Sequence, residues 1–432
     1  MSLSDSVSNA LLRLRLALRQ IDEIKRGEHT HDHPKNILKE VADTLEEHEK
    51  RVERAVLTAN EDICRNAAAD LIVDLDMYLP LLGFILRSSN VRNAFEVFDP
   101  LIAMCRALLG DTARLIYSSE WDYSPFTRTF TFPKLHNVVV VGLPAHESSN
   151  SLIIPVVGHE LGHAKWKQSG VLATLQDSIE RDVLSYFVQH LDEVVGKRLA
   201  EDIRKQAQPE ASLSVFVPEV GHAQYLAKLQ CEEVFCDIVG IRIFGSSYLR
   251  AFAYLIFPSP KALERQSFEY PSNGDRAVYM RDAAIQFRAS FASDYGGEFD
   301  DILPKDLVGQ RRHMVLAADA ATKLAFPRLM DEVRRLIPET MIAQMDETRV
   351  SMLISAFGRG RPGDGVFHLS EIVEAAWRSY LQRVRDKDCD PFGHLDALNE
   401  FVFKTIEVAE FYRRIPSSDA NEQATRRRGQ ND

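Results

Sequence analysis

Outside one short window, apolar residues in this chain recur at helical spacing, and that restricts it to a mainly α architecture. Leu11, Leu12, Leu14, Leu16 and Leu18, then Ile21 and Ile24, make an apolar stripe among Arg and Asp. The same period predicts helices over about 38–59, 66–87 and 93–117. The exception begins at Tyr123. Phe126-Thr127-Arg128-Thr129-Phe130-Thr131-Phe132 alternates with period two, and Val138-Val139-Val140-Val141 is β-branched and closes on Gly142-Leu143-Pro144. Two strands of a small sheet are expected here, paired antiparallel. A strand there is either an ordinary buried strand or an edge open to an extended peptide.

Helical periodicity resumes over 171–207, 222–244 and 246–257, and again from 276 to about 413. Between these lie a break at 208–221 with Pro209 and Pro218, a Pro- and Ser-containing loop at 258–275, and a Gly-rich loop at 358–365. The tail from Pro416 is polar and is expected to be disordered. The organisation expected is a helical region over 1–120, a core over 121–290, a second helical region over 291–415 and the tail, 416–432. His29, His31 and His33 form a local H-x-H-x-H, which suits a solvated turn before Pro34 better than a metal site.

The core carries the chemistry. His159-Glu160-Leu161-Gly162-His163 is an H-E-x-x-H helix. Residues i and i+4 lie one above the other on a helix face, so the two imidazoles can address one cation. Glu160 projects beside them, where a carboxylate can hold and deprotonate water. Ser149, Asn150 or Ser151 is the expected N-cap, and Gly170 lies past the far end. Gly162 leaves room between the ligands, where a bulky side chain would crowd a metal. Hydrogen-bonded, structural histidines are the plainer alternative. A zinc ion needs a further protein donor, and Cys231-Glu232-Glu233-Val234-Phe235-Cys236-Asp237 is the best supplier. Glu233 and Asp237 share a face, so Glu233 can reach the metal while Asp237 accepts from a ligating imidazole. Alternatively, Glu232 and Glu233 are acidic helix surface, though their apolar neighbours require them to have partners.

The remaining composition narrows the class. A hydrophobic content of 45% supports a real core, and a formal net charge of −11 disfavours nucleic acid and anionic membranes as partners. No run approaches the ~18–20 apolar residues of a membrane span, and Arg13, Arg15 and Arg19 interrupt the opening stretch where a signal peptide would be apolar. Five scattered cysteines without a C-x-x-C pair suggest neither a disulfide framework nor a thiolate zinc site. A cytoplasmic location is expected.

Together, H-E-x-x-H and the later E-x-x-x-D resemble the gluzincin metallopeptidases. Their long separation looks more like the branch that includes the CAAX prenyl proteases than the thermolysin branch. Glu269-Tyr270-Pro271-Ser272-Asn273-Gly274-Asp275-Arg276-Ala277 is similar to that branch's T-H-P-x-x-x-x-R-I, with Tyr270 where the family has His. The resemblance covers about 135–285 and implies a zincin-like catalytic core flanked by helical segments. It implies zinc held by His159, His163 and Glu233, and peptide-bond hydrolysis by a zinc-bound water with Glu160 as general base. Asp237 would then support a ligand. Tyr270 is either a hydrogen-bond donor to the oxyanion or a packed loop aromatic. Arg276 either grips a substrate carboxylate or, the preferred role, locks an acid in place. The expected partner is a peptide or protein substrate, with the helical flanks available to a protein partner. Two rivals are an inactive metal-binding scaffold and a zinc hydrolase of a small amide.

Overall fold

The computed structural model describes residues 3–27, 29, 32–58, 60–90, 95–120, 125–130, 137–205, 217–256, 263–265, 267–289, 295–296, 299, 301–337, 345–384 and 390–414. Over these residues the protein is mainly α with a small β-sheet, as the periodicity predicts. No helix among them is long and apolar enough to cross a membrane. The chain divides into two compact units, Met1–Asn150 with Ile406–Asp432, and Ser151–Thr405. That division falls at residue 150, whereas the sequence suggests boundaries near 120 and 290.

The first unit is built on three long helices, α1 (Leu3–Arg26), α2 (Asp32–Leu57) and α3 (Glu61–Asn90). Each buries one stripe: Leu14 and Ile21 from α1, Ile37, Val41 and Leu45 from α2, and Leu71, Leu75 and Ile85 from α3. Helix α4 (Phe98–Leu109) is shorter than the helix expected over 93–117. Gly110 takes a φ of 98° and ends it, and Arg114–Glu120 forms strand β1 instead. Arg114-Leu115-Ile116-Tyr117 is ambiguous by period alone; pairing with a neighbour decides it. Strand β2 (Phe126–Phe130) runs antiparallel to β3 (Val138–Pro144), as expected, and β1 pairs with β3 in parallel. The order is β1-β3-β2, so β3 is central and buried throughout. β3 is therefore the buried strand, and β1 and β2 are the outer strands of the order. His33 lies inside α2 rather than in a turn, and His31 is outside the described residues, as are Thr131–His136 and the tail from Pro416.

The second unit holds α5 (Val156–Ser169), α6 (Val171–Gln189), α7 (Leu191–Val195), α8 (Lys197–Arg204), α9 (Glu219–Phe244), α10 (Ser246–Ile256), α11 (Asn273–Gln286), α12 (Gly309–Leu336), α13 (Glu347–Gly358) and α14 (Leu369–Val384). A last helix, α15 (Pro391–Arg414), belongs to the second unit up to Thr405 and to the first from Ile406. Helix α9 is buried on every side from Val234 to Ile241 and accordingly central, packing against α5, α6 and α12. Two-residue strands β4 (Leu263–Glu264) and β5 (Asp301–Ile302) pair in parallel. Most of the break at 208–221 is outside the described residues.

Candidate metal centre

Helix α5 starts at Val156, with Pro155 rather than a Ser or Asn at its N-cap. Ser151 is occupied elsewhere: its hydroxyl and its N–H both bond Asn399 Oδ1, at 2.7 and 3.0 Å. The far end closes on Gly170 in the left-handed conformation, φ 64°. Helices α5 and α9 meet through small residues. A Cβ on Gly162 would stand 2.9 Å from Cys236 Cα, and one on Gly158 would stand 3.3 Å from Gly240 Cα. Gly162 therefore serves helix contact, not space for a metal. Gly162→Ala must push two backbones apart and is expected to destabilise the protein by about 1–3 kcal/mol. A denaturant midpoint equal to wild type in the metal-free protein would refute this.

The close crossing brings together side chains far apart in sequence. His159 Nε2 lies 3.4 Å from Glu233 Oε2, and His163 Nε2 lies 3.5 Å from Glu233 Oε1. Each ring's other nitrogen meets a different carboxylate. His159 Nδ1 is 3.0 Å from Asp237 Oδ1, and His163 Nδ1 is 2.8 Å from Glu232 Oε1. The Tyr248 hydroxyl, on α10, donates to Asp237 Oδ1 at 2.6 Å, leaving its oxygen 3.1 Å from His159 Nδ1 to accept. Arg276, on α11, donates Nε to Asp237 Oδ2 at 2.9 Å and an Nη2 hydrogen to Oδ1 at 2.8 Å. The same guanidinium stands 3.7 Å from Glu233 and over the rings of Phe252 and Tyr270. These contacts favour a proton on Nδ1 of each ring and turn Nε2 toward Glu233.

Carboxylates dominate the charge around the imidazoles. Burial alone would lower the His159 pKa, yet the hydrogen bonds and charges of Asp237 and Glu233 raise it to about 10. Burial would raise the Glu233 carboxyl, and His159, His163 and Arg276 bring it below the ordinary value. Asp237 is held well below the carboxylate range against its burial, chiefly by Arg276 and then by His159. Without a metal the anionic cage keeps a proton on His159, and a cation must displace it. Glu160 is buried on the same turn as His159. Tyr270 is 43% exposed, and its phenol is raised first by the charge of Glu233, then by burial, with Glu160 adding to it. It stays a neutral donor beside both acids. Arg265 fixes that loop by donating to the Tyr270 carbonyl while paired with Asp319.

The side chains gathered here could hold a metal ion. Ligands about 2.1 Å from a tetrahedral ion stand about 3.4 Å apart, and each imidazole is about that far from Glu233, one from each carboxylate oxygen. The sulfur of Cys236 is a further donor that its isolated position in sequence conceals, within 4.8 Å of nitrogens of both rings. Its thiol is pushed well above its usual pKa, first by burial and then by Glu233, Glu232, Asp237 and Glu160. A bound cation would itself favour the thiolate, so Cys236 and Glu233 are both candidates for the third donor. Tyr248 was also hidden, since it joins the centre through a separate helix. No known protein family, curated protein or solved structure matches this chain.

Proposed function

We propose that this protein is a zinc-dependent metallopeptidase of gluzincin type, hydrolysing peptide bonds with Glu160 as general base. The observation that carries the reading is the convergence of two carboxylate-anchored imidazoles on Glu233, with Glu160 buried one residue from the first ligand. His159, His163 and Glu233 would hold the ion. When bound there, zinc supplies Lewis-acid polarisation of a carbonyl and lowers the pKa of water. Glu160 takes the proton of the attacking water and delivers it to the leaving amine. Tyr270, a neutral phenol, donates a hydrogen bond to the developing oxyanion in place of the family's imidazole. Arg276 holds Asp237 ionised, and Asp237 in turn fixes His159. The substrate is a peptide or protein.

Elemental analysis of the dialysed protein, run beside cleavage of a peptide library, tests the reading. About one zinc per chain and cleavage are expected; a metal-free, inert protein would end it. The third ligand is tested separately. Glu233→Gln offers a neutral amide, a poor zinc donor, and should weaken zinc binding by more than the roughly 10- to 100-fold typical of an outer partner. Cys236→Ser should leave affinity near wild type. The opposite order, read by chelator competition, would move the assignment to the cysteine.

A further inference from the structure

We propose that Glu232 is a positioning residue for His163, giving the centre a second anionic support alongside Asp237. This rests on the metallopeptidase reading of the same site. The partners run in opposite order along the two helices: His159 with Asp237, then His163 with Glu232. Antiparallel packing of α5 and α9 requires that order. Asp237, four residues after Glu233, can serve only the imidazole near its own turn. The imidazole one turn further along α5 needs a partner earlier on α9, and Glu232 is placed there.

The contact is specific. Glu232 Oε1 stands 2.8 Å from His163 Nδ1, and both side chains are mostly buried, at 18% exposure. Among the described residues Glu232 makes no other hydrogen bond or ion pair. Asp237 shares its charge among His159, Tyr248 and Arg276, whereas Glu232 gives its charge to one ring. A carboxylate accepting from Nδ1–H fixes the tautomer that presents the Nε2 lone pair, and it strengthens that nitrogen as a donor. Partial exposure tempers the electrostatic part, so the hydrogen bond itself carries most of the effect.

The experiment uses the full chain with histidine ring nitrogens labelled, loaded with zinc, as wild type, Glu232→Gln and Glu232→Leu. Chelator competition at fixed pH gives zinc affinity, and nitrogen NMR reads the ring protons. Affinity should fall about 10- to 100-fold in Glu232→Leu, and much less in Glu232→Gln, whose amide oxygen still accepts. The His163 Nδ1–H resonance should move upfield in Glu232→Gln and vanish into exchange in Glu232→Leu, while that of His159 stays in both. Should Glu232→Leu fail to fold, the Glu232→Gln spectrum decides alone: an unmoved His163 resonance overturns the proposal. So does a Glu232→Leu protein that binds zinc as tightly as wild type, or a Glu232→Gln protein as impaired as Glu232→Leu. A wild type that takes up no zinc overturns the metallopeptidase reading and this role with it. Tight wild-type binding with an indifferent Glu232→Leu overturns only the role.

Discussion

Glu160→Gln should retain zinc and lose turnover by about 10² to 10⁴ or more. The substitution keeps the volume and hydrogen-bonding reach of a side chain that is 4% exposed. It leaves His159, His163 and Glu233 untouched, but an amide cannot accept the proton of the attacking water. Zinc content and peptide affinity should therefore match wild type while cleavage falls. The comparison separates the other readings of the motif. A metal-binding scaffold would show no cleavage by either protein. A hydrolase of small amides would lose activity on mutation yet leave peptides intact with Glu160 present. Wild-type cleavage rates in Glu160→Gln, at confirmed zinc occupancy, would end the peptidase assignment.

The second large effect is on stability. Arg276→Met, measured by chemical denaturation with a chelator present, should cost about 3–5 kcal/mol. Arg276 is 6% exposed and Asp237 1%, so removing the guanidinium leaves a charged carboxylate in the interior with two donors gone. The remaining donors are Tyr248 and His159, and the His159 charge is already shared between Asp237 and Glu233, so the lost guanidinium is not replaced. A buried pair is far more sensitive to losing one partner than to losing both. Adding Asp237→Leu to Arg276→Met should therefore recover part of the stability, though not zinc affinity. A single variant within about 1 kcal/mol of wild type would show that solvent reaches Asp237 and that the pair is not what holds α11 to α9.

Much of the helical fold was legible because helices such as α1, α2 and α3 each bury a single stripe, as with Ile37, Val41 and Leu45. What the period could not decide was Arg114–Glu120, too short to betray a preference and made a strand by its pairing with β3. Within the centre, the i and i+4 spacings placed His159 above His163 and Glu233 above Asp237 before any coordinates. Contacts made across the helix crossing were not legible. The Glu232 bond to His163, the Tyr248 hydroxyl on Asp237 and the approach of Cys236 depend on how closely α5 meets α9. Gly162 misled for the same reason: its missing side chain serves the neighbouring backbone, which no local pattern reveals.

That crossing also governs when in the life of the chain the centre can exist. Synthesis proceeds from the N-terminus, so His159 and His163 leave the ribosome well before Glu232, Glu233 and Asp237. Until α9 has emerged and docked, the nascent chain offers only a pair of imidazoles with no carboxylates behind them. Such a pair holds metal weakly and without selectivity. On the metallopeptidase reading, loading would thus wait for a docking event near the middle of translation, and a ribosome stalled between the two helices would carry a chain that cannot yet be armed.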